Sequence, residues 1–216
     1  MHIGITYGTG DQLIVEAHRS EGETFAATWG LLPHFPVPEI VLAGSAPYDT
    51  LTVPIQPGCQ MISLPLVQPD TPIEQALASL GGAYDTVLAY NVADNSWRRF
   101  AQDGPAFGNT LTEVGPYDGV WVCASQMGTL SLSGIYPDQV MPAYAETGWH
   151  LVGFPVGMAT PVEEVLAPFE GTFSIVQTYD PGSGDWRRYT PDTPISDDTL
   201  THIEPGSAYW INITRP

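Results

Sequence analysis

The sequence predicts a mainly β fold of the α+β kind, with two tandem antiparallel β-rich repeat units, one short helix each, plus an N-terminal β segment. Three observations predict it. The 216 residues include 22 Gly and 21 Pro, about a fifth of the chain, and 11% are aromatic. That composition describes short strands joined by tight turns, and it is too aromatic for disorder. A long internal repeat gives the tandem arrangement. Each copy holds one stretch of helical spacing among runs suited to strands. The chain is also long enough to bury a core of its own.

Residues 1–38 stand outside the repeat. HIGITYG, QLIVEAH and TFAATWG read as two or three strands, broken by GTGD and SEGE. The segment Pro33 to Pro38, PHFPVP, reads as a stiff connector because proline fixes φ and removes a donor. An isolated hairpin is marginal in water, and unpaired edges recruit other chains. Residues 1–38 are therefore expected to serve as an assembly element, with completion of the first repeat unit's sheet as the alternative.

The repeat itself is long. The 51 residues from Thr71 to Trp121 align without a gap on those from Thr160 to Trp210, so that residue n matches n + 89. About a third of the positions are identical. Upstream, with one extra residue in the first copy, GCQMISLP from Gly58 faces GWHLVGFP from Gly148, and EIVLAG from Glu39 faces TLSLSG from Thr129. The units so defined are residues 39–128 and 129–216.

Each unit has the same grammar. A strand (MISLPL or HLVGFPV) leads to Thr-Pro-x-Glu, which reads as a helix start: Thr71 or Thr160 as N-cap, Pro72 or Pro161 at the first position, Glu74 or Glu163 closing a capping box. Ile73, Ala76, Leu77 and Leu80, and Val162, Val165, Leu166 and Phe169, supply an apolar helix face. Gly82 and Gly171 stand where a left-handed helix end is expected. Then come a strand (DTVLAYN or FSIVQTYD), a turn, a strand carrying Trp-Arg-Arg-aromatic, a loop, and a last strand (GVWVCAS or AYWINIT). Trp121 and Trp210, in those last strands, are expected to be buried core anchors.

Charge excludes some functions. There are 24 acidic and 6 basic residues, all six of them Arg, for a net charge of −18. A nucleic-acid partner needs a cationic footprint that this chain lacks, and an anionic membrane surface is disfavoured for the same reason. No apolar run approaches the roughly 18 residues of a membrane span. The first residues, MHIGITYGTGDQLIVEAHRS, lack the basic and apolar regions of a signal peptide, so either a leader precedes them or the general secretory route is not used.

The residues that stand out are Trp97, Arg98 and Arg99 in the first unit and Trp186, Arg187 and Arg188 in the second, which hold four of the six basic residues. Alternation on a strand puts Trp97 and Arg99 on one face and Arg98 and Phe100 on the other. The structural reading is a packed Trp with arginines paired to nearby acids; the functional reading is an aromatic–cation recognition patch. The turns NVADNS and DPGSGD carry side-chain oxygens without calcium-loop spacing and read as hairpin turns. The five histidines are scattered, and no phosphate-binding loop, nucleophile elbow or zinc signature occurs. No catalytic residue, metal site or cofactor is therefore assigned, and the chain is expected not to be an enzyme. Cys59 and Cys123 lie in the first and last strands of unit one; two buried free thiols are expected, with a bridge as the alternative if those strands are neighbours.

The runs ETGWHLVGFPV, TPVEEVL, VQTYDPGSGDWRRY and DTLTHIEPGSAYWI resemble the tandem GWNL(I/V)(S/G)xP…W-x-x-Y…PGxGYW(I/V) repeat modules of bacterial extracellular and surface proteins. The resemblance covers residues 39–216; His150 replaces the usual Asn, Cys59 the usual Trp, and Val120-Trp121 the usual Tyr-Trp. It implies a β-rich module without catalytic residues. Set beside the missing leader, it leads to a virion protein, released by lysis, as the expected setting. The expected function is that of a non-enzymatic structural or interaction protein, a phage decoration or tail protein on an assembled particle, whose partners are other protein subunits. The alternative is a bacterial cell-surface or secreted adhesion module with a glycan as partner. The location is then the virion or the extracellular surface.

Overall fold

The computed structural model describes the backbone of residues 2–7, 13–18, 26–28 and 39–41, and residues 48–138, 144–191 and 199–215 in full. The chain forms two compact units, Met1–Tyr48 and Asp49–Pro216. The connector at residues 33–38 lies outside the described residues.

In the first unit, β1 (His2–Tyr7) and β2 (Leu13–His18) form an antiparallel hairpin, and β3 (Ala26–Thr28) pairs with β4 (Glu39–Val41). Each of the three runs read as two or three strands before residue 38 thus contains a strand. Glu39–Val41, which the repeat alignment puts at the head of the first copy, pairs with β3 instead.

The second unit holds both copies, and each builds the same body. In the first copy the strands are β5 (Asp49–Ile55), β6 (Gly58–Ser63), β7 (Thr71–Pro72), β8 (Tyr84–Asn91), β9 (Ser96–Ala101), β10 (Glu113–Val114), β11 (Gly119–Ala124) and β12 (Gly128–Gly134), with helix α1 (Ile73–Ala76). In the second they are β13 (Gly148–Gly153), β14 (Thr160–Pro161), β15 (Phe173–Asp180), β16 (Asp185–Tyr189), β17 (His202–Ile203) and β18 (Ala208–Ile213), with helix α2 (Val162–Leu166). The main antiparallel sheets run β6-β11-β8-β9 and β13-β18-β15-β16, the same order strand for strand. The hydrogen bonds repeat as well. Thr110 and Leu111 N–H donate to Arg99 O and the Arg99 N–H to Thr110 Oγ1; Thr199, Leu200 and Arg188 do the same in the second copy.

Each helix lies under one face of its sheet. Ile73, Ala76, Leu77 and Leu80 are buried with Val87, Phe100, Val120 and Val122 in one core. Val162, Val165 and Leu166 are buried with Val176, Ile203, Tyr209 and Ile211 in the other, against which the half-buried Phe169 packs. The ribbon β5-β12 closes the first core: Leu130 and Leu132 are buried there, although the alignment puts that strand at the head of the second copy.

The helix starts differ from the expected capping box. Pro72 and Pro161 occupy the N-cap positions, with extended backbone and no side-chain cap bond. Thr71 Oγ1 donates instead to Gln68 O and Thr160 Oγ1 to Met158 O. The reason is that Thr-Pro forms a two-residue strand, β7 with β10 and β14 with β17. The first free helix donors, Ile73 N–H and Val162 N–H, are satisfied by Thr112 O and Thr201 O at 3.0 Å. At the helix ends Gly171 is left-handed as expected, but in the first copy Gly81 rather than Gly82 takes that role.

The expectation of two buried free thiols is overturned. Cys59 and Cys123 form a disulfide, because β6 and β11 are neighbours and place the two residues opposite each other, with Cα atoms 4.0 Å apart. Cys59 is exposed and Cys123 half-buried. The bridge ties strands 64 residues apart in sequence. Replacing both cysteines by serine is expected to lower unfolding free energy by about 2–4 kcal/mol in denaturant melts; an unchanged midpoint would show that the bond does not constrain the chain.

Tyr209 offers a second test. It is buried against Phe154, with ring centroids 5.3 Å apart, and its hydroxyl accepts the Glu204 N–H at 2.7 Å. Burial pushes its phenol from 10.0 up to about 12. The unfolded chain releases this proton first, so stability is complete below the unfolded value and falls as pH rises through the folded one. Melting temperatures should decline above about pH 10, and less steeply in Tyr209→Phe, measured relative to that variant's own neutral value; equal slopes would contradict this assignment.

Candidate functional site

Alternation along the sheet strands gives each sheet two faces. One covers its helix. The other carries Met61, Trp121, Tyr90 and Trp97 in the first copy and Leu151, Trp210, Tyr179 and Trp186 in the second. These faces meet, and Met61, Leu151 and Ala208 form a buried seam between the copies, packed by Tyr90, Trp121, Tyr179 and Trp210.

The seam has an approximate two-fold character. Ser63 N–H donates to Gly206 O at 2.8 Å, and Gly153 N–H donates to Tyr117 O at 2.7 Å. Gly153 is the repeat mate of Ser63, and Gly206 of Tyr117, so one bond is made in both directions. The bridges Ile62 to Ser207 and Asp118 to Val152 are mates in the same way. The approach leaves little room. A Cβ at Gly119 would lie 2.8 Å from the Val152 backbone and 3.0 Å from the Cβ of its mate, Ala208. A Cβ at Gly153 would lie 2.5 Å from that of its mate, Ser63. At each spot one partner carries a side chain and the other carries none.

Two aromatic clusters flank this line. Tyr90 and Trp97 of the first copy pack on Trp210 of the second, with centroids 5.3 and 5.9 Å away and rings steeply inclined. Tyr179 and Trp186 of the second copy pack on Trp121 of the first, at 5.8 and 6.3 Å. Trp149 extends the first cluster, 6.4 Å from Trp210. Its mate in the second cluster is Cys59 of the disulfide. Trp97, Trp186 and Trp149 remain 48%, 46% and 38% exposed. Trp121 and Trp210 are half-buried in the seam, so they anchor the two copies to each other and not the core of either one.

The two Trp-Arg-Arg motifs are therefore kept apart, one in each cluster. Arg98 lies opposite Ala89 and Arg99 opposite Leu88; Arg187 lies opposite Thr178 and Arg188 opposite Gln177. Arg187 forms an ion pair with Asp180 beside a shallow depression lined by Thr178, Thr199, His202 and Tyr209. The indoles of both motifs pack in the clusters, Arg187 is paired, and about half of each indole stays exposed. Tyr90, Tyr179 and Trp149 were not among the expected residues. The two tyrosines face Trp97 and Trp186 across their hairpins, a signal contained in the hairpin register.

The turn oxygens are used within the turns. Asp94 accepts from the Ser96 hydroxyl and N–H, and Asp180 from Gly182 and Ser183 N–H. The Ser96 hydroxyl holds the Asp94 carboxyl below its ordinary value, and the Gly182 N–H does the same for Asp180.

No known protein family, characterised protein or solved structure matches the chain. No helix among the described residues is long and apolar enough to cross a membrane.

Gly119→Ala should destabilise the second unit by about 1–3 kcal/mol, because the colliding atoms are backbone. Ser63→Ala should be neutral or slightly stabilising, since its buried Oγ has no partner among the described residues. Thermal melts of the two variants check this; an unchanged Gly119→Ala melt would contradict the close approach.

Proposed function

We propose that the chain is a non-enzymatic interaction protein displayed on the outside of an assembled particle, as a virion decoration or tail protein. The observation that carries this is the pair of half-open aromatic clusters held by the seam. A fold that needed Trp97 and Trp186 only for stability would gain by covering them, since each exposed ring forgoes burial energy. Large half-exposed aromatics are the side chains most favoured at protein contacts. The disulfide supports an oxidising setting outside the cytosol, because such bonds form and persist there. The strongly acidic composition keeps a displayed protein soluble. The N-terminal β unit supplies edge strands suited to docking on a neighbouring subunit.

The second reading, a cell-surface or secreted adhesion module, draws on the same disulfide and on the additional exposed Trp149. Immunogold labelling with an antibody to the chain, applied to the producing culture, separates the two. Gold on free particles is the expected result. Gold on the cell envelope would replace the proposal with the second reading, and gold confined to the cytosol would overturn both.

A further inference from the structure

We infer that the cluster extended by Trp149 is a binding site for a neutral polysaccharide. The inference rests on the chain being a binding protein, and not on which surface displays it. The register places the groups. Trp149 lies directly across from Asn212, and Trp210 directly across from Gln177, which is itself across from Arg188. Directly opposed residues share a sheet face. One end of this face of the second copy therefore sets the part-exposed Trp149 and the half-buried Trp210 beside two amides and a guanidinium, and Trp97 of the first copy adds a third indole 5.9 Å from Trp210. Asn212 and Gln177 are half-buried and so held in place by their neighbours.

Charge selects the occupant. A chain of net charge −18 repels polyanions at long range. Among the described residues the strand registers put the amides of Asn212 and Gln177 and the guanidinium of Arg188 on this face and no carboxylate, so the strands offer a cation no opposite charge there. The ligand that suits both conditions is uncharged, has an apolar face to stack on indoles, and has hydroxyls to pair with planar amides and guanidinium. A hexopyranose ring meets that description. Trp149 and Trp97 stay 38% and 48% exposed at the rim of the seam, where a chain of such rings can lie along them. The second cluster is a built-in control. There the mates of Trp149 and Asn212 are the disulfide-bonded Cys59 and Cys123, and Leu88 stands where Gln177 does, so it lacks one indole and both amides.

The test is affinity electrophoresis of the full chain through native gels containing a β-glucan, an α-glucan, a mannan or a galactan, with alginate as the anionic comparison. At least one neutral polymer should retard the chain and alginate should not. Trp149→Ala should weaken that retardation about tenfold or more, while Trp149→Phe and Trp186→Ala stay within about threefold of the native chain. Asn212→Asp, which keeps the side chain's shape and adds charge, should also weaken binding, so a folding defect in one variant does not decide the matter. No retardation by any neutral polymer, retardation by alginate alone, or native-like binding by both Trp149→Ala and Asn212→Asp would overturn the site. Failure here leaves the immunogold result untouched, so the two proposals fall separately.

Discussion

The structure of the second unit depends on how closely two backbones approach where the copies meet. Ser63 N–H and Gly153 N–H each reach a carbonyl of the other copy, and these bonds form only because the residues around them are small. Gly119 faces the Val152 backbone, and Gly153 faces Ser63, with no space for another Cβ at either place. Two such bonds contribute modestly by themselves. Their larger effect is to fix the angle and distance at which the sheets meet, and with them the contact of every aromatic ring along the seam.

That constraint also explains why the copies have diverged where they have. The two approach points hold one side chain each, Ala208 against its mate Gly119 and Ser63 against its mate Gly153, an asymmetry that two identical copies would not achieve. Further out, the same cross-strand position carries a disulfide in one copy and the Trp149–Asn212 pair in the other. Both solutions fasten the edge strand to the central strand, one covalently and one by ring contact with Trp210. Fastening by disulfide leaves a surface with little chemistry to offer. Fastening by indole and amide leaves Trp149 part-exposed beside Asn212, the pair on which the proposed polysaccharide site rests. The fold is shared, and the surface chemistry of the two copies differs at these few positions.

Much of this was legible in the chain. The gapless repeat determined two bodies of one topology, and the apolar spacing at Ile73, Ala76, Leu77 and Leu80 identified the buried helix face. What escaped was whatever depends on strands distant in sequence. Thr-Pro-x-Glu has the local form of a capping box, but a carbonyl some forty residues away satisfies the helix, and the threonine turns elsewhere. The disulfide required knowing that β6 and β11 pair. Trp121 and Trp210 sit on strands of alternating pattern with both faces covered, so the pattern marks them as packed without saying that the partner is the other copy. The indole surface was legible only as two separate motifs, since its third and fourth rings come from across the seam.

Through-hydrogen-bond scalar coupling in the isotopically labelled full chain tests the seam most directly. Cross-peaks should link Ser63 N with the Gly206 carbonyl carbon and Gly153 N with that of Tyr117, the two bonds that run in opposite directions between the copies. Their absence, together with rapid solvent exchange of the Ser63 and Gly153 amides, would show that the two copies do not meet at this seam.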